Sequence, residues 1–458
     1  MDAERPRGDV FRYEAYQTDP AAGLLTCRYS VGGRGFEERI TLSRDGRWDS
    51  PAACASARLV FLLAGVSYYK TAAPGVIDLG QTAITDTERD FLYEYYLQGL
   101  GEFAYRNEID LTGLRIVGPS LSARPPVPAP ASATRALVPF GGGIDSIVTV
   151  ELVRHHADAA LFVVSRPGDR FAAIERPAAV AGLPVIRADR EIDPQLLRSN
   201  ELGFFNGHVP VTGILSAIAV LAAALDGREA VVMSNEWSSS VPTLDLGDRS
   251  INHQYSKSLS FEARFRDVLA SSDATLPDYF SLLRPRTELW VAKRFAGLTK
   301  YHGTFRSCNR AFHIDRTLRL GHWCGHCDKC CFIDLILAPF MSAADLERIF
   351  AGGDLPPGEA SREPLADSAQ ADRFRTLLGT SETGKPFECV GEVTECRAAA
   401  LLAARRADRA DSKLLQELAA EVADMPDAPS AATPVDLLRP VGGHFIPARF
   451  ASEDLAAR

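Results

Sequence analysis

Pro139-Phe140-Gly141-Gly142-Gly143-Ile144-Asp145-Ser146 is the stretch around which the chain is organised. Ahead of it, Arg135-Ala136-Leu137-Val138 predicts a short buried strand, and residues 147–153 behind it predict the start of a helix. The stretch is therefore strand, glycine-rich turn, helix. Three glycines let the backbone turn sharply and approach a ligand with no Cβ in the way. The amides of the first helical turn are unpaired and sit at the positive end of the helix dipole, a seat for phosphate. Asp145 adds a carboxylate suited to Mg²⁺, and Ser146 a hydroxyl suited to a phosphate oxygen. On these residues alone, a ligand-free turn of a doubly wound sheet stays open beside the phosphate seat.

The sequence downstream supports such a sheet. Residues 159–165, 183–188 and 229–234 read as continuous apolar strands, separated by helices over 171–181 and 208–225. That alternation predicts an α/β fold with a parallel sheet covered on both faces. Ligands of such sheets bind beyond the carboxyl ends of the strands, so Gly141 to Ser146, Ser165 and Ser234-Asn235-Glu236 are expected in one crevice. Residues 1–118 read as a separate α+β unit, with strands over 25–31 and 36–42 joined at Gly32-Gly33 and helices over 55–69 and 86–105. A linker rich in Pro, Ala and Ser is expected over 119–133. The parallel sheet and a cysteine segment then fill 134–345. A helical C-terminal region occupies 346–458, with its helix over 397–422 and a loose tail after Pro426.

At 458 residues the chain suffices for two or three domains. A net charge of −9 argues against a large non-specific nucleic-acid surface, so no nucleic-acid partner is expected. Residues 209–225 are apolar but broken by Thr212, Gly213 and Ser216, which predicts a buried helix rather than a membrane span. The first nine residues hold no apolar secretory core, and a cytoplasmic location is expected.

Of nine cysteines, five are grouped: Cys308, Cys324, Cys327, Cys330 and Cys331. In a cytosolic chain, grouping speaks for metal or chemistry rather than disulfides. Cys324, Cys327 and Cys330 have Cys-x-x-Cys-x-x-Cys spacing, whose tight turns aim sulfurs at one point, and Cys308 supplies a fourth. A closed structural Zn²⁺ site, an iron–sulfur cluster and free thiols in a packed corner all remain open, with Cys331 left over as core.

The glycine turn resembles the PP-loop, Ser-Gly-Gly-x-Asp-Ser, of the ATP pyrophosphatase superfamily. Gly142, Gly143, Asp145 and Ser146 match, while Gly141 stands where the pattern has Ser. The resemblance implies an adenine nucleotide α-hydrolase-like sheet, cleavage of ATP to AMP and diphosphate, and adenylation of a substrate. Cysteine triplets of this spacing also follow the PP-loop in 7-cyano-7-deazaguanine synthases, which lack so long an N-terminal region.

Further stretches resemble the UDP-N-acetylmuramoyl-L-alanyl-L-glutamate epimerase (MurL) family over most of the chain. They are Val66-Ser-Tyr-Tyr-Lys70, Gly99 to Asn107, the glycine turn, Gly207-His-Val-Pro210, Ser234-Asn-Glu236, and Asn252-His-Gln-Tyr-Ser-Lys257. Phe305 to Asn309, Trp323 to Cys330 and Phe387-Glu-Cys-Val-Gly391 complete the set. The resemblance implies ATP and Mg²⁺ dependence and inversion of the terminal L-glutamate of a UDP-sugar dipeptide through an acyl-adenylate. Glu236, His208 and Cys389 are the candidates for moving the α-proton. Each has a plainer role open to it: metal or ribose binding for Glu236, helix capping or phosphate binding for His208, a buried small residue for Cys389. Lys257 and Arg306 are candidate phosphate ligands, with solvated surface charge the alternative. Another adenylating enzyme acting on a nucleobase or tRNA, and a zinc-stabilised nucleotide-binding regulator without turnover, are the competing function classes.

Overall fold

The computed structural model describes residues 8–122, 134–247, 249–352, 363–381, 387–388, 390–430 and 432–451. The chain opens with β1 (Phe11–Asp19), β2 (Leu24–Val31), β3 (Arg34–Thr41), α1 (Pro51–Ala64), α2 (Val66–Tyr69), β4 (Val76–Asp78), α3 (Asp86–Gly99), α4 (Gly101–Arg106) and β5 (Arg115–Val117). It continues through β6 (Arg135–Pro139), α5 (Ile144–Val153), β7 (Asp158–Ser165), α6 (Ala172–Ala181), β8 (Val185–Glu191), α7 (Pro194–Leu197), α8 (Val211–Asp226) and β9 (Ala230–Met233). A short ribbon, β10 (Leu244–Asp245) and β11 (Ser250–Ile251), precedes α9 (Leu259–Ala270), β12 (Asp278–Ser281) and α10 (Glu288–Ala296). Helices α11 (Asp328–Leu337), α12 (Ala343–Ala351), α13 (Ala371–Leu378), α14 (Val393–Ala404), α15 (Lys413–Ala423) and α16 (Thr433–Leu437) follow.

Ten strands make one sheet in the order β12-β9-β6-β7-β8-β3-β2-β1-β4-β5. The first five run parallel; β6, β7, β9 and β12 are largely apolar and buried, whereas β8 is more polar and half-buried. At β8 the sheet changes character. Arg39, Ile40 and Thr41 of β3 pair antiparallel with Glu191, Arg190 and Asp189. Strands β1 to β5, expected in a separate unit over 1–118, thus share their sheet with the parallel half, and α1 packs on α8. The seam is built around a buried ion pair. Fully enclosed Glu38 accepts from Arg190 Nε at 2.7 Å and from the Tyr68 hydroxyl at 2.9 Å. Leaving one buried partner without the other costs about 3–5 kcal/mol, so the two halves are bound to each other and not merely tethered.

Strands β2 and β3 pair over their whole length, and Gly32 and Gly33 take positive φ of 58° and 76° in the tight turn between them. Strand β12 and helix α10 are additions that sequence reading did not anticipate. Both helices expected in the first 118 residues are broken, the first at Gly65 and the second at Leu100 between Gly99 and Gly101. At Gly65 a Cβ would lie 2.6 Å from the Tyr13 hydroxyl, and at Gly99 one would lie 2.7 Å from Pro210. Thr85 caps α3 through a reciprocal capping box with Glu88. Helix α8 starts at Val211 rather than at 208, because Pro210 disfavours helical backbone at Val209 before it. The helix expected over 397–422 is two, α14 and α15. Between them buried Arg409 pairs with Glu363 at 2.5 Å.

The tail is not loose where it is described. Thr287 donates its hydroxyl to Leu437 O at 2.7 Å, Val441 N donates to Pro285 O at 2.9 Å, and buried Phe450 packs on Phe280. Apolar Phe450 explains the anchoring, since it fills space beside β12. Of the linker expected over 119–133, residues 123–133 lie outside the described ones. Among the described residues one helical stretch, 51–69, is long and apolar enough to cross a membrane, and it is mostly buried inside this fold.

Candidate active site

The glycine turn joins β6 to α5, with Gly143 as the N-cap residue. Gly142 has φ +76°, and a Cβ there would sit 2.2 Å from Ala173 O. Pro177 lies four residues beyond Ala173 in α6 and has no N–H, which leaves that carbonyl free to face the turn. A proline that weakens α6 as a helix therefore shapes the turn. A Cβ at Gly143 would meet Ser307 Oγ at 3.0 Å, whereas nothing lies within 4 Å of one at Gly141. Ser146 donates its hydroxyl to Gly143 O at 3.1 Å. Ser165 stands at the end of β7 as expected, accepting from Arg170 at 3.1 Å.

Three neighbouring parallel strands, β6, β9 and β12, each deliver a carboxylate just past the carboxyl end. These are Asp145 in the first turn of α5, Glu236 beyond β9, and Glu288 at the start of α10. One oxygen from each lies within 4.8 Å of the others. Glu236 and Glu288 are buried, and the Glu288 Oε2 atom has no hydrogen-bond partner among the described residues. Burial first, then the charges of Asp145 and Glu236, hold the Glu288 carboxyl well above its ordinary range, and Lys329 alone pulls the other way among its main influences. Behind it, burial pushes Glu395 up to about 8, while Leu289 N donates to it at 3.2 Å. Three hard oxygen donors with an orphaned buried atom fit a divalent cation such as Mg²⁺.

Four sulfurs meet nearby, those of Cys308, Cys324, Cys327 and Cys330, all within 4.8 Å of one another. Cys324 and Cys330 are 3.7 Å apart, and Cys327 and Cys330 are 3.4 Å apart. Sulfurs at the corners of a tetrahedron around Zn²⁺ at ~2.3 Å would be separated by about 3.8 Å, so the set fits zinc. Cys331 is buried in the core, as expected of the leftover thiol. The thiol cluster fixes both flanks of the carboxylates: Ser307 precedes Cys308 against the glycine turn, and Lys329 precedes Cys330 beside Glu288. Arg306 is buried and lines a cavity of about 360 Å³ with His302, Trp323 and Arg348. It is thus no solvated surface charge.

A second cluster brings together stretches far apart in sequence. Glu102 on α4, His208 ahead of α8 and His253 after β11 each place one polar atom within 4.8 Å of the others. His253 Nδ1 and Glu102 Oε2 are 2.5 Å apart, and Arg106 Nε donates to Glu102 Oε1 at 2.7 Å. The imidazoles of His208 and His253 contact each other, their centroids 4.2 Å apart. Burial first, and His253 next, pull His208 down to about 4. Burial would raise Glu102, but hydrogen bonds from His253 and Arg106 bring it below its ordinary value. Lys70 donates to Asn206 Oδ1 at 2.9 Å and Gly207 O at 3.0 Å, and burial lowers it to about 8. Phe387 flanks the cluster, with the Arg106 guanidinium over its ring at 4.9 Å and the His253 ring tilted against it at 6.3 Å.

Arg284 ties the two clusters together. Fully buried, it pairs with Glu262 at 2.9 Å and donates to Glu236 O at 3.0 Å and Lys257 O at 2.6 Å. Lys257 in turn reaches Gln254 Oε1 at 3.0 Å and adds its charge to the field at His208.

With that geometry in view, comparison with known proteins is decisive. The model of the MurL N-terminal domain matches residues 2–282, and that of the MurL C-terminal domain matches residues 304–433. The chain belongs to the MurL family. A UDP-N-acetyl-alpha-D-muramoyl-L-alanyl-L-glutamate epimerase of Xanthomonas oryzae pv. oryzae is 38% identical over 443 residues, 96% of this chain and 95% of the relative. A protein of the same name from Salinispora tropica is 37% identical over 458 residues, covering 97% of this chain and 95% of its own. No solved structure matches the chain.

Within this MurL chain the structure brings Gly142, Gly143, Asp145, Ser146 and Glu236 to one end of the parallel strands, and sets His208 and Lys257 in the neighbouring cluster. Cys389 lies outside the described residues. Glu288, Glu395, Glu102 and His253 carry the clusters without having been singled out in the sequence. Glu102 and His253 stood inside stretches already noted; a carboxylate beside apolar Phe103 and Ala104 was the available signal for Glu102, and nothing local marked His253 among its polar neighbours. Glu288 had only a helix-capping Thr287 before it.

Proposed function

We propose that this chain is an ATP-dependent epimerase that inverts the terminal L-glutamate of UDP-N-acetylmuramoyl-L-alanyl-L-glutamate, a step in cytoplasmic peptidoglycan precursor synthesis. The observation that carries the proposal is the junction of an anion-seating glycine turn and three carboxylates with a partly buried histidine pair, in a chain whose full-length relatives bear the epimerase name. An α-proton beside a carboxylate is hard to remove, because the carbanion would form next to a negative charge. Joining that carboxylate to AMP, with loss of diphosphate, removes the charge and lets the carbonyl accept electrons. A base then takes the proton from one face and an acid returns one to the other. Hydrolysis of the acyl-AMP releases AMP and the epimer.

In this reading Gly141 to Ser146, Ser165 and Arg306 serve the nucleotide phosphates, and Asp145, Glu236 and Glu288 would hold Mg²⁺. Bound there, the cation would neutralise charge developing on the phosphates. Lys70 and Lys257 supply positive charge for an anionic substrate beside the histidines. Cys308, Cys324, Cys327 and Cys330 would hold a structural Zn²⁺ that keeps Ser307 and Lys329 in place. The net charge of −9 favours a small-molecule substrate over tRNA.

Incubation with ATP, Mg²⁺ and the UDP-sugar dipeptide in D₂O tests the proposal. Substrate-dependent AMP together with deuterium at the inverted glutamate α-carbon is the expected result. AMP without inversion, or ATP binding without AMP, refutes it in favour of another adenylating enzyme or of a regulator, respectively.

A further inference from the structure

Resting on the epimerase reading, we infer that Glu102, His253 and His208 form a proton relay that serves one face of the substrate α-carbon, with His208 as the base and His253 and Glu102 as positioning residues. The arrangement is a line hydrogen-bonded from Arg106 through Glu102 to His253 and continued to His208 by ring contact. Arg106 fixes one oxygen of Glu102 at 2.7 Å, the other oxygen meets His253 Nδ1 at 2.5 Å, and the His253 ring lies on the His208 ring. A carboxylate bonded to Nδ1 sets the tautomer of an imidazole and stabilises its protonated form. Backbone contacts hold the His253 loop still: its own N–H donates to Thr243 Oγ1 at 3.2 Å, and Asn252 Nδ2 to Ser239 O at 2.9 Å.

Distance decides that the pair serves one face and not both. Bases on opposite faces of a carbon each approach within about 3 Å of it, which separates them by about 6 Å with the carbon between. One nitrogen of His208 and one of His253 lie within 4.8 Å of each other, and the two ring centroids are only 4.2 Å apart. No carbon fits between them. They act in series: the α-proton passes to His208, whose positive charge is offset by Glu102, held in place through His253. The opposite face belongs to a group outside the triad.

Groups facing the relay set its pH response. His253 first, then Lys257 and Lys70, disfavour a charged His208, while Glu102 favours it. Burial keeps His208 neutral, hence able to accept a proton, across the physiological range.

The test uses His208→Gln, His253→Gln and Glu102→Gln in the full chain, with three readouts: substrate-dependent ATP–diphosphate exchange, inversion, and α-deuterium wash-in from the L and the D substrate separately. Diphosphate exchange should stay within about 3-fold of wild type, which also reports correct folding. Inversion should fall roughly 10²- to 10⁴-fold in His208→Gln. Wash-in should vanish from one epimer and persist from the other, because the opposite base still works. In Glu102→Gln the acidic limb of the kcat/KM profile should move to lower pH, since the imidazolium has lost its carboxylate. Equal loss of wash-in from both epimers, or inversion unaffected in His208→Gln, overturns the relay. So does a zinc equivalent, beyond any held by the cysteines, that disappears in His208→Gln, which would make the triad a metal site. Wild-type protein with no substrate-dependent AMP would instead sink the epimerase reading and the relay with it.

Discussion

Replacing Glu288 by Gln should stabilise the ligand-free protein while abolishing its activity. At an effective dielectric of about 20, two carboxylate charges 4.8 Å apart repel by about 3.5 kcal/mol. Alternatively Glu288 stays protonated. At pH 7.5, three units above the ordinary 4.5, that costs at most about 4 kcal/mol at about 1.4 kcal/mol per unit. Both routes give a penalty of about 3–4 kcal/mol that an uncharged isostere avoids. Loss of a negative charge at the first turn of α10 takes back about 0.3–1 kcal/mol. With an unfolding entropy near 2.1 cal/mol/K per residue, 458 residues give about 1 kcal/mol per degree. The expected gain is therefore about 2–4 °C in Tm at pH 7.5, measured calorimetrically in EDTA. The sign with pH follows from the raised carboxyl. Below the ordinary value, folded and unfolded chains are both protonated and the gain disappears; it appears and grows as pH rises above about 4.5. Added Mg²⁺ should raise the Tm of wild type more than that of the variant. A variant that melts lower than wild type at pH 7.5, or an equal gain at pH 4, would refute the reasoning.

Three further outcomes follow from the geometry. Purified protein should carry one zinc, and Cys327→Ser should lose it and disturb Lys329, read by metal analysis and by a raised KM for ATP. Arg284→Met should cost about 3–5 kcal/mol by stranding buried Glu262, and adding Glu262→Leu should recover most of that, measured by denaturant unfolding. Gly142→Ala should weaken ATP binding at least about 10-fold, at 1.4 kcal/mol per tenfold, through its positive φ and its clash with Ala173 O. Gly141→Ser, with open space around it, should bind ATP as well as wild type or better in the same titration.

The sequence announced what is local. Residues 136–138 and 230–233 are apolar runs that can only be buried, and the fixed spacing of Cys324, Cys327 and Cys330 already points three sulfurs one way. Strand β12 escaped notice because Asp278-Tyr-Phe-Ser281 is four residues long and opens on a charge. Strand β1 escaped because most of its side chains face solvent. The β3–β8 seam depends on pairing across about 150 residues, which no local pattern records. The carboxylate and histidine clusters were invisible for the same reason. Glu288 looks like any helix-starting glutamate until β12 sets it beside Asp145, and His253 looks like a loop residue until α4 brings Glu102 to it.

The seam also makes the molecule divisible in a particular way. A cut anywhere within 123–133 would leave two fragments, each with a bare strand edge, β3 on one and β8 on the other. Such edges recruit any extended segment they meet, so either fragment made alone should precipitate. Made together, only one alignment lets Glu38, already bonded to Tyr68 on its own fragment, find Arg190 on the other. Activity should return when the halves are co-expressed, which turns the seam into a complementation switch readable by growth of a host lacking its own epimerase.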